Sequence, residues 1–268
     1  MTELITMHTH STFCGHAKDS LADMAKAAEH AGVAAMAATE HYPIGRLDPT
    51  CHASMPADRL DSYCDAVVAE RAQHPDMPLL LGCELDWLGA DEDRNLTPEQ
   101  FERFDIVLGS VHFVDGWLIN GRRQAARWET ADIDAVWRRY IDLWCEAAAS
   151  DAPFTVMSHP DVVKKFGHYP TFSLAPAYKR MAQAAAAGGR MIEVNTSGLY
   201  APCAEMYPAV DLLREFERAG VACTVGTDAH EAGHVARGIE TAYDIMRAAG
   251  YDALAVPGYG RTVRFIDL

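Results

Sequence analysis

Seven separate apolar stretches of this chain each end in, or run straight into, a residue type able to ligate a metal ion. They are LITMHTH (His8, His10), VAAMAATEH (His41), PLLLGCEL (Glu84), FDIVLGSVH (His112), FTVMSHPD (His159), RMIEVNTS (Glu193, Asn195) and ACTVGTDAH (Asp228, His230). Side chains of a strand repeat their direction every second residue, so His8 with His10, and Asp228 with His230, can each aim two ligands at one point. A bulky polar histidine at the end of an apolar run otherwise needs its own hydrogen-bond partner every time. One shared metal cluster satisfies all of them together.

Segments of helical periodicity separate the strand candidates: SLADMAKAAEHAG, DRLDSYCDAVVAERAQ, IDAVWRRYIDLWCEAAAS, LAPAYKRMAQAAAAGG, AVDLLREFERAG and ETAYDIMRAAG. Strand and helix alternate almost throughout, which predicts a largely parallel sheet covered by helices and closed into a seven-stranded α/β barrel. Barrels of this kind carry their active sites at the C-terminal ends of the strands, where the candidate ligands stand. An open doubly wound sheet is the alternative, but it spreads the strand ends along a line and does not converge them. At 268 residues with no linker or repeat, the chain reads as one domain over 1–268. Two stretches without clear periodicity, Tyr42 to Met55 and Val114 to Thr130, read as long loops bordering the mouth.

A formal net charge of −15 argues against nucleic acid or an anionic membrane as partner, because both require a basic surface. It leaves room for a small anionic substrate, since bound divalent ions reverse the local sign of a pocket. The seven cysteines are scattered singly, with no C-x-x-C pair, which speaks against a disulfide framework or a zinc ribbon and for a reducing cytoplasm. The first residues, MTELITMHTH, lack the basic and apolar regions of a signal peptide, so the expected location is cytoplasmic.

His8-Thr9-His10 with His16, Thr39-Glu40-His41, Glu84, Ser110-Val111-His112, Ser158-His159-Pro160 and Asp228-Ala229-His230 together resemble the ordered motifs of the polymerase and histidinol phosphatase (PHP) superfamily. GSVHFVDGWL, HPDVVKKFG, EVNTSGL and GTDAH are similar to its histidinol-phosphate phosphatase branch. The resemblance implies a distorted TIM-like (β/α)7 barrel with a centre of two to three divalent ions. One would be held by His8, His10, Glu84 and Asp228, a second by Glu84, His112 and His159, and a third by His16, His41 and His230. Mixed imidazole and carboxylate ligands suit zinc, manganese or iron.

The implied reaction is hydrolysis of a small phosphate monoester, L-histidinol phosphate foremost, by hydroxide generated between ions, with Glu84 and Asp228 central to the chemistry. Asp161, two residues after His159, is the candidate general acid, with helix capping and ligand orientation as equal alternatives. Lys164 and Lys165 are the expected phosphate contacts, and Trp117, Glu193, Asn195 and Tyr200 the expected partners of an imidazole and amine. Arg122, Arg123, Arg127, Arg237 and Arg261 also lie near strand ends or loops. Tyr200 follows NTSGL, where such phosphatases commonly carry a basic residue. His30, His74 and His168 read as surface residues. Two other readings keep the residues but change the role: a phosphoesterase for a nucleotide, sugar or cyclic phosphate, and a non-catalytic metal-stabilised scaffold.

Overall fold

The computed structural model describes residues 2–44, 53–90 and 101–268. Strands β1 (Leu4–Thr6), β2 (Val33–His41), β3 (Leu79–Asp86) and β4 (Ile106–Ser110) come first, with α1 (Leu21–His30) after β1 and α2 (Leu60–Arg71) after β2. A short hairpin, β5 (Phe113–Val114) and β6 (Trp117–Leu118), leads through a 3-10 segment at Arg122–Glu129 into α3 (Ile133–Ala149). Then follow β7 (Val156–Met157), α4 (Ala175–Ala187), β8 (Met191–Asn195), α5 (Val210–Arg218), β9 (Cys223–Gly226) and α6 (Ile239–Ala249). The chain ends in an antiparallel pair, β10 (Ala253–Pro257) and β11 (Val263–Asp267).

Among the described residues, β1, β2, β3, β4, β7, β8 and β9 form one parallel sheet in that order. All eight residues of β3 are buried, as are all five of β4, which is the signature of strands covered on both faces. The sheet closes on itself. Met7 N donates to Val225 O at 2.8 Å, Asp228 N to His8 O at 2.9 Å and His10 N to Ala229 O at 2.8 Å, so the first and last strands meet at their C-terminal ends. The predicted seven-stranded α/β barrel is therefore the observed fold. The strand at Val156–Met157 is only two residues long, and in this sense the barrel is distorted.

The helices dock through apolar stripes and are started by ordinary caps. Ser20 and Asp23 make a reciprocal capping box at α1, and the Asp132 carboxylate accepts from Ala135 N at α3. Tyr63 of α2 reaches the carbonyls of Ala38 and Gly82, both at 2.7 Å, and so pins the helix to β2 and β3. Gly82 has no room for a side chain: a Cβ there would lie 2.6 Å from Ile106 Cγ2 and 2.8 Å from Thr39 Cγ2.

Three features depart from expectation. The stretch from Val114 to Thr130 is not a plain loop, because Val114 pairs with Trp117 in the hairpin and Trp128 anchors the 3-10 segment by donating to Ile119 O at 2.9 Å. The terminal β10–β11 hairpin lies beyond the alternating strands and helices expected from the sequence, although Gly258-Tyr259-Gly260 between apolar runs is a hairpin signal. His74 is buried rather than on the surface, with Nδ1 3.3 Å from Glu29 and Nε2 3.1 Å from Glu70, so it ties α2 to α1. Most of the Tyr42 to Met55 stretch lies outside the described residues. No helix among the described residues is long and apolar enough to cross a membrane.

Candidate metal centre

The C-terminal ends of the barrel strands bring nine side chains into three overlapping groups. His8 Nε2 and His10 Nε2 face each other at 3.0 Å, and both stand 3.4 Å from Glu84 Oε2. Asp228 Oδ1 completes the set at 3.3 Å from His10 Nε2 and 3.7 Å from His8 Nε2. On the other side of Glu84, Oε1 lies 2.9 Å from His159 Nε2 and 3.4 Å from His112 Nε2, which are themselves 3.2 Å apart. The third group is nearer the surface: His16 Nε2 and His230 Nε2 are 3.0 Å apart, and the His41 ring stacks on His16 with centroids at 5.2 Å. His41 Nδ1 turns to Glu84 Oε2 at 2.8 Å and links this group to the first.

These contacts have a defect that a cation would cure. Pairs of imidazole nitrogens meet across three gaps, where at best one of each pair carries a proton to donate. Glu84 Oε2 and His41 Nδ1, though 2.8 Å apart, are not aligned for a hydrogen bond, and neither buried atom has another hydrogen-bond partner. Among the described residues no lysine or arginine forms an ion pair with Glu84 or Asp228, although Glu84 is 1% exposed. Buried carboxylates need compensation. Burial pushes the Glu84 and Asp228 carboxyls up, but the surrounding histidines outweigh it and hold both well below the usual range. Conversely, burial works against charge on His10, yet Asp228 and Glu84 raise it to about 9. His16, desolvated and facing His41 and His10, is lowered to about 4. The donor set fits divalent ions by composition, orphaned atoms and charge.

An outer layer aims the ligands. Glu193 Oε1 accepts from His8 Nδ1 at 2.9 Å while its Oε2 accepts from His159 N at 2.8 Å and from Asn195 Nδ2 at 3.1 Å. Asp86 Oδ1 stands 2.9 Å from His112 Nδ1 and accepts from His112 N at 3.2 Å. Each bond fixes a ring so that Nε2 points inward. Asp86 was missed in the sequence, though it follows Glu84 by two and so shares its face of β3. Ser110 Oγ donates to Glu84 Oε1 at 2.6 Å. His159 and Asp228 have positive φ, 23° and 51°, so two of the cage residues sit on strained backbone.

The other candidates divide. Glu193 and Asn195 sit behind the histidines, with Asn195 Oδ1 also capping the turn at Ser197 N, 3.0 Å away, so neither is placed as a direct substrate contact. Lys164 is not at the cage: its ammonium is 1% exposed and bound to Asp161 Oδ2 at 2.8 Å, Glu205 Oε2 at 2.9 Å and Met206 O at 2.7 Å. Asp161 shares that fate, since Oδ2 also accepts from Ala209 N at 2.8 Å; this buried pair ties the turn after β7 to the start of α5. Trp117 is buried against Trp128 under the Arg127 guanidinium, part of the packing. Tyr200 is half exposed, with the Arg237 guanidinium over its ring. Lys165 forms no ion pair among the described residues; burial lowers its pKa, against which the charges of Asp228 and Glu84 act.

Residues 6–197 match the family model of the PHP domain, well over half of the chain. The chain belongs to the PHP family. A protein of Deinococcus radiodurans described as a "probable histidinol-phosphatase" is 32% identical over 99% of this chain and 97% of its own length. A Thermotoga maritima protein of the same description is 23% identical, covering 95% and 96%. The solved structure of a histidinol phosphate phosphatase from Lactococcus lactis, complexed with zinc, L-histidinol and phosphate, superposes with a TM-score of 0.79 at 21% identity, over 98% of this chain and 99% of that one. At that identity the likeness speaks for the PHP barrel itself.

Proposed function

We propose that this PHP domain is a metal-dependent phosphatase that hydrolyses L-histidinol phosphate to L-histidinol and phosphate. One observation carries the reading: imidazole nitrogens of His8, His10, His41, His112 and His159 converge on the two oxygens of buried Glu84, which no cationic Lys or Arg side chain meets among the described residues, in a chain 32% identical to a "probable histidinol-phosphatase". His8, His10, Glu84 and Asp228 would hold one divalent ion, Glu84, His112 and His159 a second, and His16, His41 and His230 a third. Zinc is the first metal to test, because the Lactococcus lactis structure contains it. Bound there, divalent ions would supply Lewis-acid stabilisation of the phosphoryl oxygens and make water a better nucleophile at neutral pH.

The protein's own groups do the positioning. Glu193 and Asp86 hold His8 and His112 in the tautomer that leaves Nε2 free. Ser197 Oγ, 3.3 Å from Asp228 Oδ2, steadies that carboxylate. Lys165 is the proposed phosphate contact, a partly buried cation that forms no ion pair with a carboxylate among the described residues. Asp161 Oδ2 is tied to Lys164 and Ala209 N, so a general-acid role for this residue would rest on its other oxygen, Oδ1, which is buried without a partner.

The test is direct. Protein purified without chelator should contain two to three divalent ions per chain and release phosphate from L-histidinol phosphate in preference to nucleotide, sugar and cyclic phosphates. Turnover that survives verified removal of the metal would sink the proposal.

A further inference from the structure

We propose that Glu40 is a positioning residue for His10, the carboxylate that accepts a hydrogen bond from Nδ1–H of this ring when its Nε2 binds an ion. This deepens the metal-dependent phosphatase reading and rests on it for the presence of the ion.

Glu40 stands one residue before the end of β2 and is fully buried. One of its oxygens is engaged: Oε1 accepts from Ser11 N at 2.7 Å and from Ser11 Oγ at 2.6 Å. The other, Oε2, has no hydrogen-bond partner, and no lysine or arginine forms an ion pair with Glu40 among the described residues. A buried carboxylate left in this state is costly and calls for a donor. The basic group that Oε2 meets is His10 Nδ1, 3.9 Å away, itself buried and without a hydrogen-bond partner. Two unsatisfied atoms thus face each other across a gap slightly too long for a hydrogen bond.

The other nitrogen of the ring shows what the pair is for. His10 Nε2 lies 3.0 Å from His8 Nε2, 3.3 Å from Asp228 Oδ1 and 3.4 Å from Glu84 Oε2, inside the first group of ligands. A ring that ligates through Nε2 carries its proton on Nδ1, and the cation makes that N–H a stronger donor, which a carboxylate behind the ring then holds. His8 and His112 have this arrangement complete, with Glu193 and Asp86 each at 2.9 Å from Nδ1. His10 has the same parts, and a side-chain adjustment of about 1 Å brings Nδ1 and Glu40 Oε2 to hydrogen-bond length. Glu40 then serves two donors at once, Ser11 on one oxygen and His10 on the other. A carboxylate has an acceptor for each, whereas an amide has one acceptor oxygen only.

Glu40→Gln keeps the size of the side chain and an oxygen for Ser11, but turns an NH2 group against His10 Nδ1–H. Zinc affinity, read by chelator competition, should fall by about 10–100-fold, while Tm of the metal-free protein moves little. Turnover lost at limiting zinc should return when zinc is in excess. Glu40→Asp, which keeps both acceptors, should lose less than Glu40→Gln. In a His10→Ala background Glu40→Gln should add little further loss, as expected of two residues acting through one bond. Wild-type zinc affinity in Glu40→Gln, or an undiminished further loss in His10→Ala, overturns the assignment and leaves Glu40 as a support for Ser11 alone. Where Glu40→Gln does not fold, Glu40→Ala takes its place, and wild-type affinity there overturns the assignment equally. Should wild-type protein bind zinc yet hydrolyse no ester, the phosphatase reading fails while the zinc affinities still decide on Glu40.

Discussion

Gly226 offers the sharpest test of how the cage is aimed. A Cβ at this position would overlap the Glu193 carboxylate and lie 2.5 Å from His8 Cβ. Glu193 has no free direction in which to yield, since its second oxygen holds His159 N at 2.8 Å and Asn195 Nδ2 at 3.1 Å. Gly226→Ala must therefore break the bond from Glu193 to His8 or push β9 away from β1. Loss of a buried charged hydrogen bond costs about 1.5–3 kcal/mol. Overpacking adds about 1–3 kcal/mol. Together they amount to about 2.5–6 kcal/mol, and at roughly 2–4 °C per kcal/mol for a chain of this size Tm should fall by about 5–24 °C. With His8 no longer held, zinc affinity should drop by about 10–100-fold. A competitive chelator titration beside a thermal melt reads both. Glu193→Gln separates the causes, because it keeps the volume and weakens the acceptor: its zinc affinity should fall while Tm moves less. Wild-type zinc affinity in a folded Gly226→Ala protein would refute the reasoning.

Three further outcomes are expected. Asp86→Asn keeps the shape of the residue behind His112 but not its charge, and should lower metal affinity by about 10–100-fold, read by the same chelator competition; no change would assign Asp86 to packing alone. Lys164→Met should destabilise the protein by about 3–5 kcal/mol in urea denaturation, because Asp161 is left buried without its counter-charge, while KM of the surviving enzyme stays near wild type; a large rise in KM would put Lys164 back at the substrate. Chelation should lower Tm, by the equivalent of about 2.7 kcal/mol where free metal had stood at a hundred times its Kd, and added zinc should restore it.

The cage residues were legible in the sequence because a strand's two-residue period and the C-terminal location of barrel sites are local and topological rules. His8 with His10, Glu84, His112 and Asp228 needed only to end apolar runs to be found, and the helices between them needed only their spacing. The supporting layer was less visible. Asp86 carries the same two-residue offset from Glu84, but nothing local says that a carboxylate at the end of β3 faces the back of His112. Gly226 looks like any strand glycine until Glu193 is seen lying against it.

Lys164 and Lys165 mark the boundary between the two kinds of knowledge. In the sequence they are one basic pair after HPDVV, with equal claim to a phosphate. A tight turn sends adjacent side chains in different directions, so Lys164 is buried between Asp161 and Glu205 while Lys165 forms no ion pair among the described residues. The amino-acid order by itself determined which residue types gather at the strand ends and that a metal suits them. Only the tertiary structure decided which charges are neutralised inside the protein and which remain for a ligand, because that depends on what distant segments bring against each side chain.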